Sequence, residues 1–360
     1  MHQKLPFILI FGIIFALTIT GCSNREPLYY SEDDFGRVSK IDVHFHYNLS
    51  DPVFLLFADS LNFKILSPNV NSSTPVDEQF AIARDLRHRF PKQFAFFGTF
   101  TVDHFGNDEF ADEILRQIKE ALMAGASGIK IWKNVGMELL DSEGRYVMAS
   151  DESFDPVFQY LEKNQITLMA HLGEPRSCWL PLEEMDLLNH VRYYTANPQY
   201  HMYLHPEAPS YEDQIAVIDE LLTRYPDMEY IGAHLASLEW NIDEVAKRLD
   251  AHPSLLIEFS ARIGHLQHQS HANHQRVRDF LIKYQDRIMY GTDTGVNSRN
   301  TNVVSEKERL YGLWLRHWRY LATDSEVEVP ELGGEMVKGL QLPREVVDKI
   351  YYHNAARYFE

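Results

Sequence analysis

The 360-residue sequence is short of cysteine, of positive charge and of long apolar runs. Cys22 and Cys178 are its only cysteines, so a disulfide framework cannot hold the fold and the core must. Lys and Arg number 34 against 52 Asp and Glu, a formal charge of −18. That balance excludes nucleic acid as a partner, because a phosphate backbone calls for a basic face. It leaves the substrate open, since a few local cations suffice to make a positive pocket. No apolar run reaches the roughly 20 residues of a membrane-spanning helix. Low-complexity tracts and solenoid-length repeats are also missing, and no dinucleotide fingerprint follows the first candidate strand.

What is there begins with a processing signal. Lys4 and the run Leu5–Ile19, broken only by Pro6, Gly12 and Thr18, have the form of a secretory signal peptide. The run ends in Ile19-Thr20-Gly21-Cys22, which resembles a bacterial lipobox, where the cysteine becomes the lipidated first residue. The resemblance implies an extracytoplasmic protein anchored to a bacterial membrane through acyl chains on Cys22, with no other membrane contact. Residues 1–22 are then a lipoprotein signal, 23–39 a tether and 40–360 a single catalytic domain. Lipidation of Cys22 would leave Cys178 alone, without a disulfide partner.

From Lys40 onward short apolar runs alternate with helical patterns. The candidate strands are Ile41–Phe45, Phe63–Leu66, Phe94–Thr99, Gly128–Trp132, Thr167–Ala170, Tyr230–Ala233, Leu255–Phe259 and Ile288–Tyr290. Helical spacing marks Glu78–Phe90, Glu109–Ala124, Phe154–Asn164, Glu212–Tyr225, Ile242–Ala251 and His274–Tyr284, and Ser210 with Asp213 reads as a capping box. Eight strands alternating with helices imply parallel pairing, and the missing dinucleotide fingerprint favours a closed α/β barrel, a (β/α)₈ TIM barrel, over an open sheet. The long connection from Val296 to Gly339, with a helix at Glu306–Leu321, is expected to form a lid or pocket wall, and Arg344–Phe359 the closing helix.

Chemistry gathers at the strand ends. In Ile41-Asp42-Val43-His44-Phe45-His46, alternation sends Ile41, Val43 and Phe45 towards the helices and Asp42, His44 and His46 into the barrel. Two imidazoles leaving one strand end on the same face can chelate a cation. The runs ending in His171, His234 and Asp293 add two imidazoles and a carboxylate to the same rim.

This ordered set resembles the amidohydrolase superfamily, and the phrases Ile41–His46, Gly128–Trp132, Ile231–Ser237 and Tyr290–Asp293 are similar to its amidohydrolase-2 branch. The resemblance spans Lys40 to the terminal Asn354-Ala355 helix. It implies His44, His46, His171 and Asp293 as ligands of one divalent metal, Zn²⁺ first, with Mn²⁺ or Fe²⁺ as other candidates. It implies catalytic roles for His234, which orients water or polarises a carbonyl, and for Asp293 as proton acceptor. The activity implied is metal-dependent hydrolysis of an amide, ester or lactone in a small molecule. The branch also contains non-oxidative decarboxylases, so a metal-dependent lyase acting on a small carboxylic acid is the alternative.

Lys130 alternates into the barrel. We read it as a substrate contact or a partner of Glu258; some branches carry a carbamylated lysine at this strand that bridges a second metal. With Arg176 and Arg262, Lys130 could line a mouth for a carboxylate-bearing substrate. His265, His268, His271 and His274 recur every third residue and read as a solvated loop rather than an accessory metal patch. Homo-oligomers are compatible with this reading.

Overall fold

The computed structural model describes residues 27–72 and 74–360. The signal segment 1–22 with Cys22, and the start of the expected tether, lie outside them. Eight parallel strands form the centre: β1 Lys40–Asp42, β2 Phe63–Pro68, β3 Phe94–Phe97, β4 Ile129–Ile131, β5 Leu168–Ala170, β6 Tyr230–Gly232, β7 Leu255–Glu258 and β8 Ile288–Met289. Neighbours pair in sequence order, with Ile41 opposite Lys64, Leu66 opposite Ala95, Lys130 opposite Met169, Met169 opposite Ile231, Ile231 opposite Leu256, and Glu258 opposite Met289. A bridge between Gly98 and Ile129 joins β3 to β4, and the Val43 N–H donates to Tyr290 O at 3.0 Å to join β8 to β1. The ring is closed, a (β/α)₈ barrel.

A helix follows each strand: α1 Val53–Ser60, α2 Val76–Arg89, α3 Phe110–Met123, α4 Asp155–Lys163, α5 Tyr211–Arg224, α6 Ile242–Ala251, α7 His274–Lys283 and α8 Arg344–Asp348. The capping box exists: the Asp213 N–H donates to Ser210 Oγ at 3.1 Å and the Ser210 N–H to Asp213 Oδ2 at 2.9 Å. Helix α1 was hidden in the sequence because Val53-Phe54-Leu55-Leu56-Phe57 is apolar on every face and shows no period.

The core has two layers. Strand residues such as Ile65, Phe94, Ile129, Leu168, Tyr230, Ile257 and Tyr290 pack outward under the helices. Ile41, Val43, Leu66, Met169, Ile231 and Met289 fill the barrel itself, with Tyr358 packed against them. This corrects the alternation drawn for the first strand. Ile41 and Val43 point into the barrel, and Asp42 points out, accepting from Trp314 Nε1 at 3.1 Å and Thr292 Oγ1 at 2.7 Å. A bend after β1 resets the alternation, so His44 still reaches the mouth while Phe45 packs on the helix side.

The described chain is packed from Tyr29 onward. Tyr29 bridges to Pro343, Tyr30 donates to Asp348, and the ammonium of buried Lys40 donates to Phe35 O and Val38 O. The long helix after β8, Val303–Ala322, is packed onto the barrel and is not a lid: Trp314 and Trp318 are fully buried, and Trp314 stacks on Phe63 at 4.6 Å. The histidine-rich stretch is also a helix, Ile263–Ala272, and no loop. His265 is buried there, His268 and His271 face Asp186 and Glu335, and His274 opens α7 with Nε2 at 2.9 Å from Gly339 O. No described helix is long and apolar enough to cross a membrane.

Candidate metal centre

The mouth is built by chain segments that continue beyond the strands. After β1 and β8 the backbone runs on as a parallel two-stranded ribbon, Phe45–Asn48 beside Thr294–Asn297, with Gly295 opposite His46. A Cβ at Gly295 would lie 2.6 Å from His46 O, so only glycine permits this approach. The ribbon lifts His46 and Asp293 over His44. Asp293 Oδ1 lies 3.1 Å from His46 Nε2 and 3.3 Å from His44 Nε2, and the Asp293 N–H donates to His44 O at 2.7 Å. These three side chains present ligand atoms within 4.8 Å of one another.

His44 is held from behind. Its Nδ1 lies 2.9 Å from Glu258 Oε1 and 3.0 Å from Ser260 Oγ, which turns Nε2 towards the mouth. Glu258 is fully buried and also accepts the N–H groups of His234 and Ser260, at 2.9 and 2.6 Å. Burial opposes its charge, yet these partners hold the carboxyl down at about 2. Gly291 leaves room for it, since a Cβ there would sit 2.9 Å from Glu258 Oε2.

His171 and His234 form a second group. His171 Nδ1 lies 3.2 Å from His234 Nε2, and His234 Nδ1 lies 2.9 Å from Ser260 O. His171 Nε2 is buried without a partner. Burial drives both imidazoles to the neutral form, His234 to about 3 and His171 well down. Neutral imidazole is the state that ligates metal. The backbone here is strained: His234, Leu235, Ala236 and Ser237 all have φ between +54° and +60°, and Asp293 has φ of +58°. Consecutive left-handed residues without glycine are costly and persist at sites the surroundings over-determine.

The structure therefore brings His44, His46 and Asp293 together and sets His171 beside His234 instead. Lys130 is fully buried, with Nζ 2.6 Å from His44 Nε2. It makes no ion pair with Glu258, one of the two roles read for it. Burial lowers its ammonium to about 8, against the pull of Asp293 and Glu258. Around Asp293 the enclosing walls act against charge, but His44, His234 and His46 hold its carboxyl well below the usual range.

The expected arginines divide. Arg262 is buried near the mouth, 4.0 Å from Glu174 Oε2, with its Nε unpartnered. Arg176 turns elsewhere, stacking on Trp240 at 4.4 Å and lining a separate cavity of about 60 Å³ with His190, His265 and Glu239. Sequence reasoning missed Ser260 and the hold of Glu258 on His44. An acid ending the apolar run Leu255–Ile257 was the available signal for Glu258.

Glu239 supplies a test of this environment. Its Oε1 accepts the Arg176 N–H at 2.8 Å, Oε2 has no partner, and burial pushes its carboxyl from 4.5 to about 7. A raised carboxyl favours the fold below the unfolded pKa, and that support is lost as pH rises through the folded one. Glu239→Gln is therefore expected to raise thermal stability at pH 8, by up to about 3 kcal/mol, and to change little at pH 5. Melting curves at the two pH values check this; equal shifts would refute it.

A family model described as amidohydrolase matches residues 41–360. The chain belongs to the amidohydrolase family. Amidohydrolases are metal-dependent enzymes of small molecules, and this member carries imidazole and carboxylate donors at the strand ends where such a metal sits. Among solved structures, 2,6-dihydroxybenzoate decarboxylase is similar at 13% identity and a TM-score of 0.51, covering 89% of this chain and 99% of that one. Dihydroorotase from Saccharomyces cerevisiae is similar at 14% identity and a TM-score of 0.40, covering 77% and 81%. No curated protein matches. At 13% identity the likeness to the decarboxylase speaks for the fold alone.

Proposed function

We propose that this amidohydrolase is a hydrolase that cleaves an amide, ester or lactone of a small molecule, with a divalent cation, Zn²⁺ first, at His44, His46 and Asp293. The observation that carries the reading is the place of Asp293. Its carboxylate is ionised, 30% exposed and within 3.3 Å of two imidazoles. The donors fit a metal: two imidazole nitrogens and a carboxylate oxygen converge within 4.8 Å of one another. When bound, the cation polarises the substrate carbonyl and acidifies water. Asp293 takes a proton from the attacking water and returns it to the departing nitrogen or oxygen. Glu258 and Ser260 keep Nε2 of His44 forward, and Lys130 adds positive charge beside the same atom.

A specific observation favours a second ion. His171 Nδ1 and His234 Nε2 face each other at 3.2 Å, as two ligands of one cation do, and Lys130 projects into the same barrel mouth. A carbamylated Lys130 would bridge the two.

Elemental analysis of protein starting after Cys22, beside a His44→Ala, His46→Ala double variant, separates these readings. About one ion per chain, lost in the variant, supports the single site. About two, with dependence on bicarbonate, supports the bridge. No metal on gentle purification or after supplementation overturns both. Release of carbon dioxide from candidate acids, without cleavage of any amide, ester or lactone, would replace hydrolase by lyase.

A further inference from the structure

Above the carboxyl ends of β2 to β5 lies a cavity of about 920 Å³. Its lining follows metal-centre residues along the chain: Trp132 and Lys133 continue the strand of Lys130, and Glu174 follows His171 by three positions. Its size is that of a site for a ligand of one to two rings.

The charges of the wall say what that ligand is not. Lys133 is ion-paired with Glu174, and the other carboxylate oxygen of Glu174 lies 4.0 Å from Arg262. One acid thus answers both nearby cations. Asp103 and Glu138 also line the wall and have no ion pair among the described residues. A carboxylate-bearing ligand would meet uncompensated acid and no free cation. This argues against the carboxylate-bearing substrate that the sequence left open.

The rest of the wall says what the ligand is. Asn71, Ser72 and Gln199 join the two free acids, so both donors and acceptors line the space. Tyr193 and Tyr200, 47% and 51% exposed, stand nearly parallel with centroids 6.4 Å apart, and Trp132 lines the same space. Planar amides and carboxylates match vicinal hydroxyls, which both donate and accept. Half-exposed aromatic faces match the C–H face of a saturated ring. We propose that this cavity binds a neutral, polyhydroxylated ring, a saccharide portion of the substrate, and that Glu174 enforces neutrality by occupying Lys133 and Arg262.

The proposal deepens the hydrolase reading, which gives the sugar its purpose, but binding can be measured without turnover. The probes are maltose, N,N′-diacetylchitobiose, digalacturonate and the disaccharide of glucosamine, followed by saturation-transfer NMR. Wild type and the His44→Ala, His46→Ala variant should both bind the two neutral disaccharides, with similar affinity. Trp132→Ala and Tyr200→Ala, shown folded by circular dichroism, should each weaken binding about fivefold or more. Digalacturonate should bind only after Glu174→Gln. Absence of neutral-sugar binding to wild type overturns the proposal, as does binding that both aromatic variants leave unchanged. Preference for the glucosamine disaccharide overturns it in favour of a cation site. A protein that binds sugars but hydrolyses nothing would sink the hydrolase reading and leave this one standing.

Discussion

Asp293→Asn is expected to lower kcat/KM about 10³-fold at neutral pH while the protein stays folded, the range for losing a general base. The side chain keeps its shape, and asparagine tolerates the left-handed backbone that position 293 requires. The Asp293 N–H keeps its bond to His44 O, so the ribbon that carries His46 should stay in place. What disappears is the charge 3.1 Å from His46 and 3.3 Å from His44. Cation retention should weaken with it. Steady-state kinetics and elemental analysis on one preparation check both effects. A variant with a tenth or more of wild-type activity would remove Asp293 from the mechanism.

The second large effect belongs to Glu258, which touches no solvent. Glu258→Ala strands the donors at His44 Nδ1, His234 N and Ser260 N, and should cost about 3–5 kcal/mol of stability. Glu258→Gln is the more informative change. It keeps an acceptor for His44 but presents an amide where Ser260 N–H expects an oxygen, and it removes the charge that fixes the imidazole. Cation affinity should fall about 10–100-fold, as when other carboxylates that orient ligand histidines are altered. Chelator competition reads affinity, and thermal unfolding reads the fold. Unchanged affinity in a stable Glu258→Gln protein would leave Glu258 a packing residue only.

Much of this architecture was legible because barrels write period-two and period-3.6 patterns in alternation. The strands and seven of the eight barrel helices lie close to where the sequence places them. Residues at strand ends were readable for the same reason: a polar side chain closing an apolar run must face the mouth. What failed was orientation. The bend after Asp42 reverses the alternation within six residues, and no local signal separates a bent strand from a straight one. The partnership of His171 with His234 depends on a left-handed turn at His234–Ser237 that ordinary residues do not advertise. Arg176 was misplaced because a loop gives no direction to its side chains, and Trp240, far along the chain, decides it.

The closure of β8 onto β1 has a consequence in time. His46 and Asp293 touch, but the ribosome makes them far apart. At ~5–20 residues per second the first imidazoles wait roughly 12–50 s for their carboxylate. Until the last strand docks, a nascent chain can offer a cation only fragments of its coordination sphere. Metal capture at the proposed site would thus be a late event, and a cation held there would tie the first strand of the polypeptide to the last.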